Sequence, residues 1–257
     1  MNRHLEQYND QGYAIVREFL SSDEISRIIN ELAIIYSLSL SESTSLECST
    51  GGYSYQNLCD IYDMCANTNE QLKARSYDIS KSLAVVCKTA TKCSDRLKKI
   101  FSDRTFIITG HQVRCDDTVG TRYLDLHQEI MGMKSDTCVT CWMPLLDTNE
   151  LQGGLKIVPG SHLKGPLQHE WIESPWGNKA HVVRDHKVYE SSAVTLTVGA
   201  GDALFFHPCL IHGTAENKSK QARWTFVSRF DDIGDIRYLV DESKDNCVSE
   251  AKEKYVL

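Results

Sequence analysis

The chain has 257 residues, 41% of them hydrophobic and 25% charged, with a formal net charge of −7. Length and composition suit one soluble domain with a core of useful size, and all-β barrels of this length are common as single domains. The acidic balance, with no basic stripe, excludes broad nucleic-acid binding. No run of about 18 apolar residues reads as a membrane span, and residues 1–10 lack the apolar stretch of a secretory signal. The ten cysteines are therefore expected to be reduced and mostly buried, and the chain to be cytoplasmic.

Residues 1–20 read as a short helix followed by a strand over 12–19. Ser21 with Glu24 three residues later fits a capping box, and Ile25, Ile28, Ile29, Leu32 and Ile35 then recur at helical spacing. That predicts an amphipathic helix of about 14 residues. Residues 41–68, rich in Ser, Cys and Gly, read as a long loop with short helical turns, either bordering a pocket or forming an ordinary surface excursion. Residues 69–101 read as helical, with Leu72, Ile79, Leu83, Val86 and Ile100 as buried positions and Lys92, Lys98 and Lys99 suiting a helix C-terminus.

From residue 104 the pattern changes to short β-rich runs separated by turn signals. They cover 105–115, 122–130, 137–146, 155–158, 193–198, 202–207 and 223–230. This rhythm is that of a mainly β fold with flanking helices, a double-stranded β-helix of the jelly-roll or cupin-like barrel type. The expected layout is a single domain over 1–257: helical support in 1–103, a barrel core in 104–230 and a polar tail from 241. An insertion near 164–192 carries His169, Trp171, Trp176, His181 and Tyr189, which suit either a substrate lid or a solvated insertion with its own small aromatic cluster. Cys138 and Cys141 form CxxC on a predicted strand, where positions i and i+3 face opposite ways and joint metal ligation is disfavoured.

The chemistry concentrates in YLDLHQE, residues 123–129, and in IHGTAENKSKQAR, residues 211–223. His127 and Glu129 are two residues apart, so an extended backbone presents both on one face. His212 can supply a third ligand from across the barrel. Two imidazoles and one carboxylate on one side of an ion form the facial triad of non-haem Fe(II) sites, with open positions for other ligands. Arg223, eleven residues after His212, offers a bidentate grip on a carboxylate. His207 lacks the Gly-Thr that follows His212, and His162 reads as shaping the turn PGSH. Arg229 reads either as a charge behind the ligands or as an exposed strand residue. Arg114, Arg122 and Lys134 read as a positive mouth or as ordinary surface charge.

Taken together, these residues resemble the phytanoyl-CoA dioxygenase family of Fe(II)/2-oxoglutarate oxygenases. The resemblance is carried by His127-Gln128-Glu129, Trp142 to Leu145, Gly153 to His162, Gly201-Asp202, His212-Gly213-Thr214, Asn217 and Arg223, together with the opening residues 10–20. It implies that His127, Glu129 and His212 hold iron. It also implies that Arg223 and Thr214 receive the far carboxylate of 2-oxoglutarate, that Trp142 and Gln112 line the co-substrate pocket, and that O2 takes the remaining position. The implied reaction is hydroxylation or another oxidation of a small-molecule C–H bond, with release of succinate and CO2. Glu129 departs from the Asp usual in the family. A carboxylate there still disfavours halogenation, which needs Gly or Ala at that position. Two rival readings are a cupin-type metal enzyme that does not use 2-oxoglutarate and a non-catalytic binding protein on the same fold.

Overall fold

A computed structural model describes residues 3–38, 40, 52–68, 76–116, 124–133, 135–149, 151–173 and 179–235. The first helix, α1 (Arg3–Gln11), stops at Gly12, whose φ of +82° turns the chain into β1 (Tyr13–Val16). Helix α2 (Ser22–Ser37) starts from the expected capping box: Glu24 N–H donates to Ser21 Oγ at 3.3 Å, and Ser21 N–H donates to Glu24 Oε2 at 2.9 Å. Its stripe of Ile28, Ile29, Leu32, Ala33 and Tyr36 is buried.

The expected loop over 41–68 is corrected in its second half, since Tyr55–Thr68 is helix α3. Ser54 and Asn57 cap it reciprocally, Asn57 N–H to Ser54 Oγ and Ser54 N–H to Asn57 Oδ1. Leu58, Ile61, Tyr62 and Cys65 then form a buried stripe at helical spacing. The run over 69–101 breaks into α4 (Ser76–Lys81) and α5 (Ala84–Ile100). Val86 and Ile100 are buried as expected, while Leu72 lies outside the described residues.

The strands that follow are β2 (Phe106–Asp116), β3 (Val139–Pro144), β4 (Leu155–Ile157), β5 (His169–Glu173), β6 (Lys179–Val183), β7 (Val194–Thr195), β8 (Ala203–Phe206), β9 (His212–Thr214) and β10 (Arg223–Asp232). They form an antiparallel sheet in the order β1-β8-β3-β10-β2 and a smaller one in the order β7-β4-β9. Between these sheets lie Trp142, Leu155, Ile157, Leu204, Phe206, Leu210 and Val227. The other face of the large sheet packs on the helices, where Trp224 meets Tyr36 and Tyr62 at ring-centroid distances of 5.7 and 5.1 Å. Central strand β3 is therefore buried at every position, covered on both faces. This is the expected jelly-roll architecture with flanking helices.

One expectation about the elements needs correction. Of the predicted strand over 122–130, the described part is no strand. It makes a single bridge, His127 with His212, and then winds into a 3-10 helix, Glu129–Gly132. The insertion near 164–192 is a β5-β6 hairpin followed by a 3-10 helix, His186–Ser192. The hairpin is tied to the barrel where Val183 N–H donates to Leu126 O at 3.0 Å. Trp176 and the tail from 241 lie outside the described residues.

Candidate metal centre

His127 and His212 face each other because their backbones pair. His127 N–H donates to His212 O at 2.8 Å, and His212 N–H donates to His127 O at 3.0 Å. The chains approach closely because the next residue is Gly213, where a Cβ would stand 2.4 Å from Leu124 O. The residue between the other two candidates, Gln128, is extended (φ −123°, ψ 142°). His127 and Glu129 thus share a face although no strand continues beyond them. Gln128 is itself a clamp. Its Nε2 donates to Gly165 O and Cys209 O at 3.0 and 2.6 Å, and its Oε1 accepts from Leu167 N–H at 2.8 Å.

One ligand atom from each of His127, Glu129 and His212 lies within 4.8 Å of the others. The imidazoles are oriented for ligation. His127 Nδ1 lies 2.7 Å from Asp125 O and His212 Nδ1 lies 2.9 Å from Leu210 O. A carbonyl can only accept, so each Nδ1 carries the proton and each Nε2 turns a lone pair to the centre. Burial, and then the neighbouring His212, push the His127 pKa down to about 3, which keeps it neutral. Burial opposes ionisation of Glu129, but the Arg229 guanidinium and His212 overcome it and hold the carboxyl well below the usual range. Arg229 Nε and Nη2 donate to Glu129 Oε2 and Oε1 at 2.7 and 3.1 Å, a bidentate pair. The donor set of two imidazoles and one carboxylate fits a divalent first-row metal with open positions.

These groups open on a cavity of about 250 Å³. Trp142, Gln112 and Thr214 line it, as does Arg114. The hydroxyl of Thr214 accepts from Leu124 N–H at 2.6 Å. A second cavity, of about 740 Å³, adjoins the first and shares Gln112, Glu129, Gly132 and Arg229 with it. Arg223 is not among the lining residues. It lies 1% exposed on the same face of β10 as Thr225, Val227 and Arg229, and it donates to Asp116 Oδ2 at 2.8 Å.

Among the histidines set aside from the sequence, His207 and His162 lie apart from the metal cluster. His207 Nδ1 accepts from Cys209 N–H, and His162 Nε2 contacts Asn9 O, fixing the PGSH turn against α1. Arg229, undecided from the sequence, grips Glu129, and Arg114 faces the cavity; Arg122 and Lys134 lie outside the described residues. His181, read from the sequence as part of the insertion, lines the cavity, and Trp171 stacks on it at 4.5 Å while 60% exposed. Cys138 and Cys141 are free and have separate surroundings, Ser135 Oγ and Cys93 Sγ. The clamp by Gln128 went unread in the sequence, because its partners in 165–167 and at 209 are distant in the chain.

The chain is similar to known proteins over most of its length. The profile of the phytanoyl-CoA dioxygenase (PhyH) family matches residues 8–225. A peroxisomal phytanoyl-CoA dioxygenase of Bos taurus is 34% identical over 113 residues, covering 42% of this chain and 33% of the relative. A 1-deoxypentalenic acid 11-beta-hydroxylase of Streptomyces arenae is 31% identical over 133 residues, covering 48% of this chain and 46% of the relative. The matched stretches thus span less than half of either curated relative. Among solved structures, the epimerase SnoN bound to Fe3+ and alpha ketoglutarate superposes with a TM-score of 0.60 at 17% identity, covering 90% of this chain and 82% of its own. EvdO2 of Micromonospora carbonacea var. aurantiaca, bound to 2-oxoglutarate, gives 0.58 at 16% identity, with coverage of 92% and 94%. These two share the fold. With a family match across most of its length, the chain belongs to the phytanoyl-CoA dioxygenase family.

Proposed function

We propose that the chain is an Fe(II)- and 2-oxoglutarate-dependent dioxygenase. It oxidises a C–H bond of a small molecule and releases succinate and CO2. The observation that carries this reading is the convergence of two Nε2 lone pairs and one carboxylate on one side of an open cavity. His127, Glu129 and His212 would hold the iron. Bound Fe(II) supplies the redox chemistry that couples dioxygen reduction to decarboxylation of the co-substrate and oxidation of the substrate.

The protein's own groups bind and orient. Trp142, Gln112 and Thr214 form the wall along which a chelating 2-oxo acid lies. Arg223 receives its far carboxylate from deeper in the barrel. Two buried polar atoms without partners support an anion there: Nε of Arg223 and Oγ1 of Thr225. The β5-β6 hairpin, with Trp171 stacked on His181, covers the side from which the prime substrate arrives. Free buried thiols favour a reducing compartment such as the cytoplasm.

The test is succinate formation in the presence of Fe(II), 2-oxoglutarate and O2. The wild type should form succinate, and His127→Ala or His212→Ala should abolish it together with metal binding. Arg223→Ala should sharply raise the 2-oxoglutarate requirement. Metal-dependent oxidation without succinate would point instead to a cupin-type enzyme. Neither oxygen consumption nor succinate from metal-loaded protein would point to a binding protein.

A further inference from the structure

We propose that Asp116 is a built-in competitor for the far carboxylate of the co-substrate, and that it thereby limits the affinity for 2-oxoglutarate without affecting the binding of its chelating head. The inference rests on the reading of the site as one for 2-oxoglutarate. Asp116 ends β2 directly opposite Arg223, the first residue of β10. Both side chains are 1% exposed. Each oxygen of Asp116 serves a different arginine. Oδ2 accepts from Arg223 Nη2 at 2.8 Å, and Oδ1 accepts from Arg114 Nε at 2.7 Å. Of these two arginines, Arg114 lines the cavity and Arg223 does not.

The geometry at Arg223 resembles a half-filled socket. Nη1 is committed to the carbonyls of Gln152, Gly153 and Ala215. The side-on fork of a guanidinium is the edge shared by Nε and Nη2, which meets a carboxylate with two parallel hydrogen bonds. Here Asp116 holds Nη2 alone, and Nε has no partner. Two residues along the same face, the Thr225 hydroxyl is also buried without a partner. A buried donor left unpaired is costly. The fork therefore favours a carboxylate that fills both positions over one that fills a single position. An incoming carboxylate needs Asp116 to release only Oδ2, since Oδ1 keeps its bond to Arg114. Asp116 thus covers the guanidinium charge in the free protein and withdraws to Arg114 when the co-substrate arrives.

The experiment is an anaerobic titration of the Fe(II)-loaded protein, read by the visible charge-transfer absorbance of the 2-oxo acid chelate. Two ligands are compared: 2-oxoglutarate, and 2-oxobutanoate, which has the same chelating head and no far carboxylate. Asp116→Asn should tighten 2-oxoglutarate by roughly tenfold, the worth of one charge-assisted hydrogen bond that no longer has to be broken. It should leave 2-oxobutanoate unchanged. Arg114→Gln should act with the opposite sign, weakening 2-oxoglutarate alone, because a displaced Asp116 would have nowhere to withdraw. If Asp116→Asn does not fold, the Arg114→Gln arm decides by its sign. Asp116→Asn weakening 2-oxoglutarate, or either variant shifting both acids equally, would overturn the proposal and leave Asp116 as a structural tether for Arg223. An absence of absorbance in iron-loaded wild type would instead remove the underlying 2-oxoglutarate reading, and this inference with it.

Discussion

The ion pair between Arg229 and Glu129 gives the sharpest stability test of the site. Replacing Arg229 with Gln leaves both oxygens of Glu129 without their guanidinium donors. Losing one partner of a fully buried pair costs about 3–5 kcal/mol, and an exposed pair is worth about 0–1 kcal/mol. The Glu129 side chain is 13% exposed and that of Arg229 is 31%, so this pair lies between the limits, at about 2 kcal/mol. For a chain of this size, that lowers Tm by about 4–8 °C. A divalent ion held by Glu129 would take over part of the charge balance, so saturating Mn(II) should reduce the deficit. The assay is urea unfolding of wild type, Arg229→Gln, Glu129→Gln and the double variant, with and without Mn(II). A coupling energy of about 2 kcal/mol in the metal-free cycle is expected. Additive single substitutions would show that the contact contributes nothing, and the account of Arg229 as the group orienting Glu129 would fail.

Gly213→Ala tests the approach of the two ligand segments. The added Cβ would meet Leu124 O at 2.4 Å, and relief requires moving the backbone that pairs His127 with His212. The expected cost is about 1–3 kcal/mol, together with weakened Mn(II) binding by calorimetry; unimpaired Mn(II) affinity would show that the close approach is not what sets the ligand geometry. Acid stability tests His207, whose pKa is pushed down to about 3 by burial first and then by His162 and Arg104. Its unfolded value is near 6.5, so the unfolded chain takes up the proton first as pH falls. Stability contributed by neutral His207 is complete above pH 6.5 and is lost at about 1.4 kcal/mol per pH unit on the way down to its folded pKa. His207→Asn should flatten the dependence of unfolding free energy on pH between 6.5 and 4, and equal slopes for variant and wild type would contradict this.

What the sequence disclosed depended on the range over which each interaction acts. The box of Ser21 and Glu24 and the stripe from Ile28 to Tyr36 are local, and the helix they specify was read nearly to its ends. Helix α3 was readable by the same logic, from Ser54, Asn57 and the spacing of Leu58, Ile61, Tyr62 and Cys65. Its polar composition concealed it. Strand β9, three residues long, and the turn of chain at Glu129 have no period of their own, because pairing with distant segments defines them. The candidate ligands were nevertheless legible, since a metal demands particular side chains at particular spacing. Their support was not. Arg229 reaches Glu129 across 100 residues, and Arg223 reaches Asp116 across 107. No local signal in the sequence records which carboxylate a guanidinium will meet.

The charges inside the barrel explain why those arginines belong to the site rather than merely surrounding it. Arg114, Arg223 and Arg229 are opposed by Asp116 and Glu129, and His127 is held neutral, so this cluster carries one excess positive charge. Such an excess is tolerable in a buried setting only because each cation is hydrogen-bonded to an anion or a carbonyl. A divalent metal raises the excess to three, and a dianionic chelator returns it to one. The interior therefore opposes the metal by itself, and attracts the dianion more strongly once the metal is present. Because binding linkage is reciprocal, each ligand must strengthen the other by the same factor. Asp116 tempers this coupling: it covers Arg223 in the free protein and gives way to a carboxylate that is tethered at its other end.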